Sequence, residues 1–342
     1  MLNVCACTGD LNDPSSRFRV RQYIPELEKY GIRVFDLQTS AGRYPPSNKT
    51  LRSWWGGKNL LQHLLKVPRT YRYDLTIVQR EFMSTVLTLE SFTHAPRVFD
   101  LDDAIFFYRG GHAARRLAEM SEVVICGNRY IAEWIERWNR SIEIVPTAVD
   151  TDRYRPGDAV RHSSSLVVGW IGTSSNLDYL YAIEPVLASV CRLFPKVRLR
   201  VVCDFPPVFQ TLGGNQVEFI RWSEEVEIAA IQGMDIGIMP LPDTAWTRGK
   251  CSYKMLQYIA CGLPVVVSPV GMNREVLAQS DVGIPALSPD EWVEALCSLL
   301  TDVKSRRQLG TNGRLLAEKS YSRAVIAPRL AQVFVGAAGS SS

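Results

Sequence analysis

Two doubly wound α/β domains are predicted, from three features of the sequence. Short apolar runs alternate with amphipathic segments through both halves of the chain, the pattern of a parallel sheet covered by helices. Some runs, such as Val265-Val266-Val267, are β-branched with no polar alternation, as expected of strands buried on both faces. An aperiodic stretch with Pro, Gly and Ser, AVDTDRYRPGDAVRHSSS at 148–165, divides the halves and reads as a linker. At 342 residues the chain is long enough for two cores.

In the first half the predicted strands are LNVCAC (2–7), IRVFDL (32–37), LTIVQ (75–79), RVFDL (97–101), VVIC (123–126) and IEIV (142–145). In the second half they are LVVGWIG (166–172), VRLRVVC (197–203), VEFI (217–220), DIGIMPL (235–241), PVVVS (264–268) and VGIP (282–285). The resulting domains are 1–155 and 156–320, followed by a C-terminal helix at 321–335 that packs back on the first domain and a flexible tail at 336–342. Ligands of open parallel sheets bind outside the carboxyl ends of the strands, so the chemistry is expected in a cleft lined by strand-end loops of both domains.

Composition narrows the function classes. With 46% apolar and 22% charged residues the chain reads as a soluble globular protein. No apolar run approaches the roughly 20 residues that span a bilayer, and MLNVCACTGD lacks the plan of a signal peptide; a cytoplasmic location, extending to the inner face of the plasma membrane, is expected. The eight cysteines include no C-x-x-C pair and there are four histidines, so no zinc site is expected and the thiols read as reduced. A net charge of +4 is too small to imply nucleic acid. It is unevenly spread, with eight Lys or Arg and one acid, Asp74, between Ala41 and Arg80. Within that region WWGGKNLLQHLLKVPR (54–69) sets Trp54, Trp55, Leu60, Leu61, Leu64 and Leu65 among basic residues. Such a segment either lies on an anionic membrane or packs its leucines on the protein's own sheet.

Cations crowd one helix start. In RGKCSYKMLQYIACGLPVVVSP (248–269), Met255, Leu256, Ile259 and Ala260 form an apolar stripe, while Lys250, Lys254 and Gln257 form a polar one. Gly262 and Pro264 end the helix near Cys261. Cations at a helix N-terminus are unfavourable unless an anion offsets them, and such a terminus beside Lys and Arg is a phosphate site; the alternative is that the long side chains are solvated. The turn GTSSN (172–176) brings Gly172, Thr173, Ser174 and Ser175 to a strand end, which suits a diphosphate, although ordinary turns favour the same residues. No G-x-x-x-x-G-K-S/T or G-x-G-x-x-G is present there, which argues against an NTPase or nicotinamide enzyme. In DPSSRFR (13–19), Ser15 or Ser16 is read as a helix cap with Arg17 in the first turn. DLDD (100–103) ends a strand with carboxylates fit to act as a base, to bind Mg²⁺ or to cap a turn, and QRE (79–81) adds Arg80 and Glu81 at a neighbouring strand end.

These pieces together resemble a glycosyltransferase of the GT-B fold, of the retaining, nucleotide-sugar-dependent kind called family 4 or group 1. The resemblance is carried by GWIGTSSNLDYL (169–180), DIGIMPLPD (235–243), RGKCSYKMLQYIACGLPVVVSPVGMNREV (248–276), SSRFRVRQYIPELEKYGIRV (15–34), DLDD, ICGNRYIAEW and IVPTAVDTDRYRP. It implies two Rossmann-like domains, the second binding the nucleotide-diphosphate sugar and the first a glycan or lipid-linked hydroxyl acceptor, with transfer under retention of configuration. It further implies a place in bacterial cell-envelope or exopolysaccharide synthesis, no cofactor besides the co-substrate and no required metal. On the donor side it points to Gly172, Thr173, Ser174, Arg248, Lys250, Ser252, Tyr253, Lys254, Gln257 and Glu275, and on the acceptor side to Ser16, Arg17 and Arg80. Asp102, standing where many members have a histidine, and Asp103 are the catalytic candidates. The family's two glutamates, eight residues apart, align with Gly249 and Gln257: Gln257 retains hydrogen bonds for a ribose, whereas Gly249 leaves the donor sugar to Asp243, Glu275 or a neighbour. Basic residues usual after the second domain's first strand are replaced by Trp170 and Asn176, and Arg248, Lys250 and Lys254 stand in for that charge. A nucleotide-sugar epimerase and a non-catalytic nucleotide-sugar-binding subunit are the alternative readings.

Overall fold

A computed structural model describes residues 1–11, 13–157 and 165–339. Its twelve strands form two six-stranded sheets. The first contains β1 (Leu2–Cys7), β2 (Ile32–Leu37), β3 (Leu75–Gln79), β4 (Arg97–Leu101), β5 (Val123–Cys126) and β6 (Ile142–Ile144). The second contains β7 (Val167–Ile171), β8 (Arg198–Cys203), β9 (Val217–Arg221), β10 (Ile236–Met239), β11 (Val265–Val267) and β12 (Gly283–Pro285). All neighbours pair in parallel.

The strand orders are β2-β1-β3-β4-β5-β6 and β12-β11-β10-β7-β8-β9. Each order reverses once, between β1 and β3 in the first sheet and between β7 and β10 in the second, and connections leave the sheet there in opposite directions. This opens a crevice at the carboxyl ends of those strands, the usual ligand position in doubly wound sheets.

The chain forms two compact units: Met1–Ala148 with Arg248–Cys251 and the chain from Arg323 onward, and Val149–Thr247 with Ser252–Ser322. In the first, the Arg323–Gly339 helix contributes Ile326, Leu330 and Phe334 to a core shared with Val4, Ile77, Val98 and Ile125. Each such side chain, fully buried, contributes roughly 1.5–3 kcal/mol relative to exposure. In the second, Val168, Trp170 and Leu199 pack with Leu187, Trp292 and Leu296.

Two expectations change. The tail read as flexible from residue 336 is helical to Gly339, with Ala337 buried, because the helix keeps an apolar contact there; residues 340–342 lie outside the described residues. Of the linker, 158–164 lie outside the described residues, but its start is built into the second unit. Val149 bridges to Ser322, and buried Tyr154 donates its hydroxyl to Glu227 at 2.8 Å.

Candidate active site

In the first unit the crevice between β1 and β3 is walled by buried charges. Asp13, rather than Ser15 or Ser16, caps the Pro14–Arg19 helix, accepting the Ser16 N–H at 3.3 Å. Ser16 is fully buried: its Oγ accepts the Gly9 N–H at 2.9 Å and donates to Asp13 Oδ2 at 2.6 Å. Arg43 reaches Asp13 Oδ2 at 3.2 Å and Gln79 Oε1 at 2.7 Å. Arg17, by contrast, lies over its neighbour Phe18, 4.8 Å from the ring centre. The cation that matters two residues later is Arg19, buried and bidentate on Asp100 at 3.0 and 2.7 Å, with further bonds to the Val145 carbonyl and Thr147. Asp100 thus serves as a structural counter-ion, despite belonging to DLDD.

Asp102 and Asp103 remain partly exposed beyond the end of β4. Arg80, buried and at φ 57°, turns out of β3 to pair with Asp103 Oδ2 at 3.3 Å. A positive φ is unusual for a residue with a side chain, and it is held here by the Arg80 N–H bond to the Asp100 carbonyl, 2.9 Å. Asp103 keeps 28% side-chain exposure, yet the surrounding protein atoms still desolvate its charge. That desolvation and the neighbouring Asp102 push its carboxyl up to about 6, while Arg80 and Lys250 pull the other way. Near neutrality such a group exchanges protons easily, as a general base requires. Around it several buried polar atoms have no hydrogen-bond partner among the described residues: Arg43 Nε and Nη1, Gln79 Nε2, Arg80 Nε, Glu81 Oε2 and Asp102 Oδ1. Buried polar groups are normally paired, so this concentration marks a surface made for a polar ligand. Glu81, a candidate from the same strand end, is fully buried and accepts the Thr85 N–H at 2.6 Å.

The segment Arg248–Cys251 is fastened to this same carboxylate edge. Asn128 Nδ2 donates to the carbonyls of Arg248 and Lys250 at 3.4 and 3.2 Å, and the Cys251 thiol to the Asp102 carbonyl at 2.9 Å. Lys250 therefore precedes the helix, which starts at Tyr253, and the predicted polar stripe through Lys250, Lys254 and Gln257 is broken at its first member.

In the second unit the Tyr253–Ala260 helix begins after Ser252, whose φ is 53° and whose buried Oγ has no partner among the described residues. It ends at Cys261 with Gly262 at φ 73°, the left-handed stop predicted for that glycine. Lys254 extends over Trp170, its Nζ 4.5 Å from the ring centre, and a Cβ at Gly172 would lie 2.7 Å from that Nζ. The bare backbone of Gly172 thus admits an ammonium group at the end of β7, beside the strand-order reversal. Ser174 is less available than its motif implied: Asp204 at the end of β8 accepts its N–H at 2.6 Å and its hydroxyl at 2.9 Å. Thr173 and Ser175 lie on the surface with their hydroxyl oxygens 2.9 Å apart. Asp243 and Glu275 are exposed, and next to Glu275 the buried Asn273 donates to the Ser268 carbonyl while its Oδ1 stays unpartnered.

Residues 165–302 match the family of glycosyl transferases group 1. Solved structures resemble the whole chain: sucrose-phosphate synthase from Thermosynechococcus elongatus has a TM-score of 0.74 at 15% identity, covering 98% of this chain and 99% of that one. Anabaena HepE in complex with UDP-glucose has a TM-score of 0.71 at 12% identity, covering 98% and 100%. WaaG, a glycosyltransferase involved in lipopolysaccharide biosynthesis, has 0.68 at 14%, covering 97% and 100%. No curated protein matches. The fold is GT-B, two parallel six-stranded sheets with flanking helices.

Against the group 1 pattern, the two departures now have physical causes. A Cβ at Gly249 would lie 2.5 Å from Ala104 Cβ and 2.9 Å from its backbone nitrogen, so close packing on the β4 edge excludes a glutamate there. Gln257 is buried, donating to Glu227 Oε1 at 2.8 Å and to the Tyr154 hydroxyl at 3.1 Å. Both of its amide hydrogens are thus engaged within the second unit. Tyr154 and Glu227, far away in sequence, left no signal of this triad.

Proposed function

We propose that the protein transfers a sugar from a nucleoside-diphosphate sugar to a hydroxyl acceptor, with retention of configuration, in the synthesis of a bacterial envelope or extracellular glycan. The group 1 match of residues 165–302 supports the donor class. The observation that carries the reading is Lys254 over Trp170 at the bare end of β7. There a cation, a helix start and a strand-order reversal coincide, which favours the negative charge that grows on a departing nucleoside diphosphate. Gly172 and Thr173 supply close backbone approach and a hydroxyl, and Tyr253 and Ser252 adjoin the helix start. With Gln257 engaged elsewhere, Asn273 and Glu275 are the candidates for the sugar side.

On the first unit, Asp103 is the base that takes the acceptor proton, Asp102 orients the hydroxyl, and Arg80 and Ser16 hold the walls. Protein cations take the part of a metal at the diphosphate, so turnover is expected to survive EDTA. Thermal-shift screening tests the reading: UDP or another nucleoside diphosphate raises the melting temperature, and the matching sugar donor plus acceptor yields a glycoside whose anomeric configuration NMR assigns. Absence of any nucleotide shift, or epimerisation of the nucleotide sugar without an acceptor, overturns it.

A further inference from the structure

The Lys49–Thr70 helix is built inside out. An ordinary surface helix turns its apolar stripe to the core, but here Asn59, His63, Lys66 and Thr70 are buried, with Val67 as the one apolar residue among them. Its leucines face outward: Leu61 is 58% exposed, Leu64 57% and Leu65 66%, with Trp54 at 67%. The buried side is tied down by polar contacts. Trp55 Nε1 donates to the Gly42 carbonyl at 2.7 Å, Gln62 Nε2 to Ser40 at 2.6 Å and Lys66 Nζ to the Thr8 carbonyl at 3.3 Å, and His63 stacks on Phe82. Packing of the leucines on the protein's own sheet, the alternative left open by the sequence, is therefore not what the fold does.

We infer that this helix docks the protein on an anionic phospholipid bilayer, lying along the surface with Trp54, Leu61, Leu64 and Leu65 inserted. Charge complementarity selects this occupant. Besides the buried Lys66 the helix carries Lys49, Arg52, Lys58 and Arg69 and not one acid, so the charges of its own that flank the apolar face are all positive, which attracts anionic headgroups. Its 22 residues give a contact line about 33 Å long. One flank of the same helix bounds a cavity of about 690 Å³, where Gln62, Leu65, Lys66 and Arg69 meet Thr39, Ser40 and Asp10. A docked helix sets that cavity beside the headgroups. If the protein is the transferase proposed above, the acceptor is a lipid-anchored molecule whose anionic, hydroxyl-bearing head enters this cavity.

Flotation of the full chain on vesicles tests the docking without reference to chemistry. It is expected to float with phosphatidylglycerol-containing vesicles at low salt, less with pure phosphatidylcholine, and to be released by salt. Combined Trp54→Ser, Leu61→Ser and Leu64→Ser substitutions, all on exposed positions, should lower the bound fraction about tenfold or more with an unchanged melting temperature. Failure of the wild-type chain to float, or flotation of the triple variant at the wild-type level, overturns the inference. So does a concentration-dependent dimer in lipid-free sedimentation that the same substitutions abolish, since a second copy then covers the face. Nucleotide-induced thermal shifts, measured in parallel, report separately on the transferase reading.

Discussion

The carboxyl ends of the two sheets occupy equivalent places in the topology and are built in opposite ways. The first is walled by three arginines, each paired with an aspartate in or near the interior: Arg19 with Asp100, Arg43 with Asp13, Arg80 with Asp103. The second has hydroxyls that bond one another, a serine held by Asp204, and one lysine resting on a tryptophan. Buried ion pairs add little net stability but are costly to break, so the first edge has its geometry set before any substrate arrives. The second edge leaves room for a ligand that brings its own negative charge. In the proposed transfer reaction the first edge would supply the base for the hydroxyl and the second the cationic seat for the leaving group.

Substitutions should separate the two edges by the size and kind of their effect. Arg19→Ala leaves Asp100 buried without its counter-ion, and urea unfolding should show a loss of about 3–5 kcal/mol; a smaller loss than 1 kcal/mol would mean the pair does not organise the edge. Asp103→Asn should leave the fold intact and lower turnover by roughly 10²–10⁴. The wild-type rate should climb with pH through about 6 as Asp103 ionises, and this limb should vanish in the variant. The stability effect has the reverse sign. The native state holds this proton more tightly than the unfolded chain, so stability falls as pH rises from the ordinary carboxylate range to about 6, and Asp103→Asn removes that fall.

Gly249→Glu, which introduces the glutamate of the family that the chain resembles, should cost about 1–3 kcal/mol by crowding Ala104 and bring no gain in donor affinity by calorimetry. On the second edge, Lys254→Ala should weaken UDP binding roughly tenfold with little change in melting temperature. Lys250→Ala is the finest test, because Lys250 helps to hold the Asp103 carboxyl down. Its loss should move the acid limb of the rate profile to higher pH, whereas a large loss of nucleotide affinity would instead assign it to the donor.

Strand positions were legible because each run is a local pattern: Leu2–Cys7, Ile32–Leu37, Leu75–Gln79, Arg97–Leu101 and Val123–Cys126 begin and end where the apolar runs do. In the second half most strands lose flanking residues, as at Val265–Val267, where Pro264 cannot donate to the ladder, while β9 gains Arg221. The site was less legible because its partners are remote in sequence. Arg19 and Arg43 look like any surface cations until the fold brings Asp100 and Asp13 to them. Nothing near Gln257 announces Glu227, and nothing near Ser174 announces Asp204. The missing glutamate at Gly249 was visible as an absence, but its cause, the backbone of Ala104, appears only in three dimensions.

The Arg323–Gly339 helix carries a consequence for biosynthesis. Ile326, Leu330 and Phe334 complete the core of the unit that holds residues 1–148. Those residues must wait, with their apolar surface partly uncovered, until residues 323–339 are made, whereas the second unit has most of its own core at hand before then. Synthesis and folding therefore run in opposite orders along this chain, and a nonsense codon before residue 323 would spoil the half of the protein farthest from it in sequence.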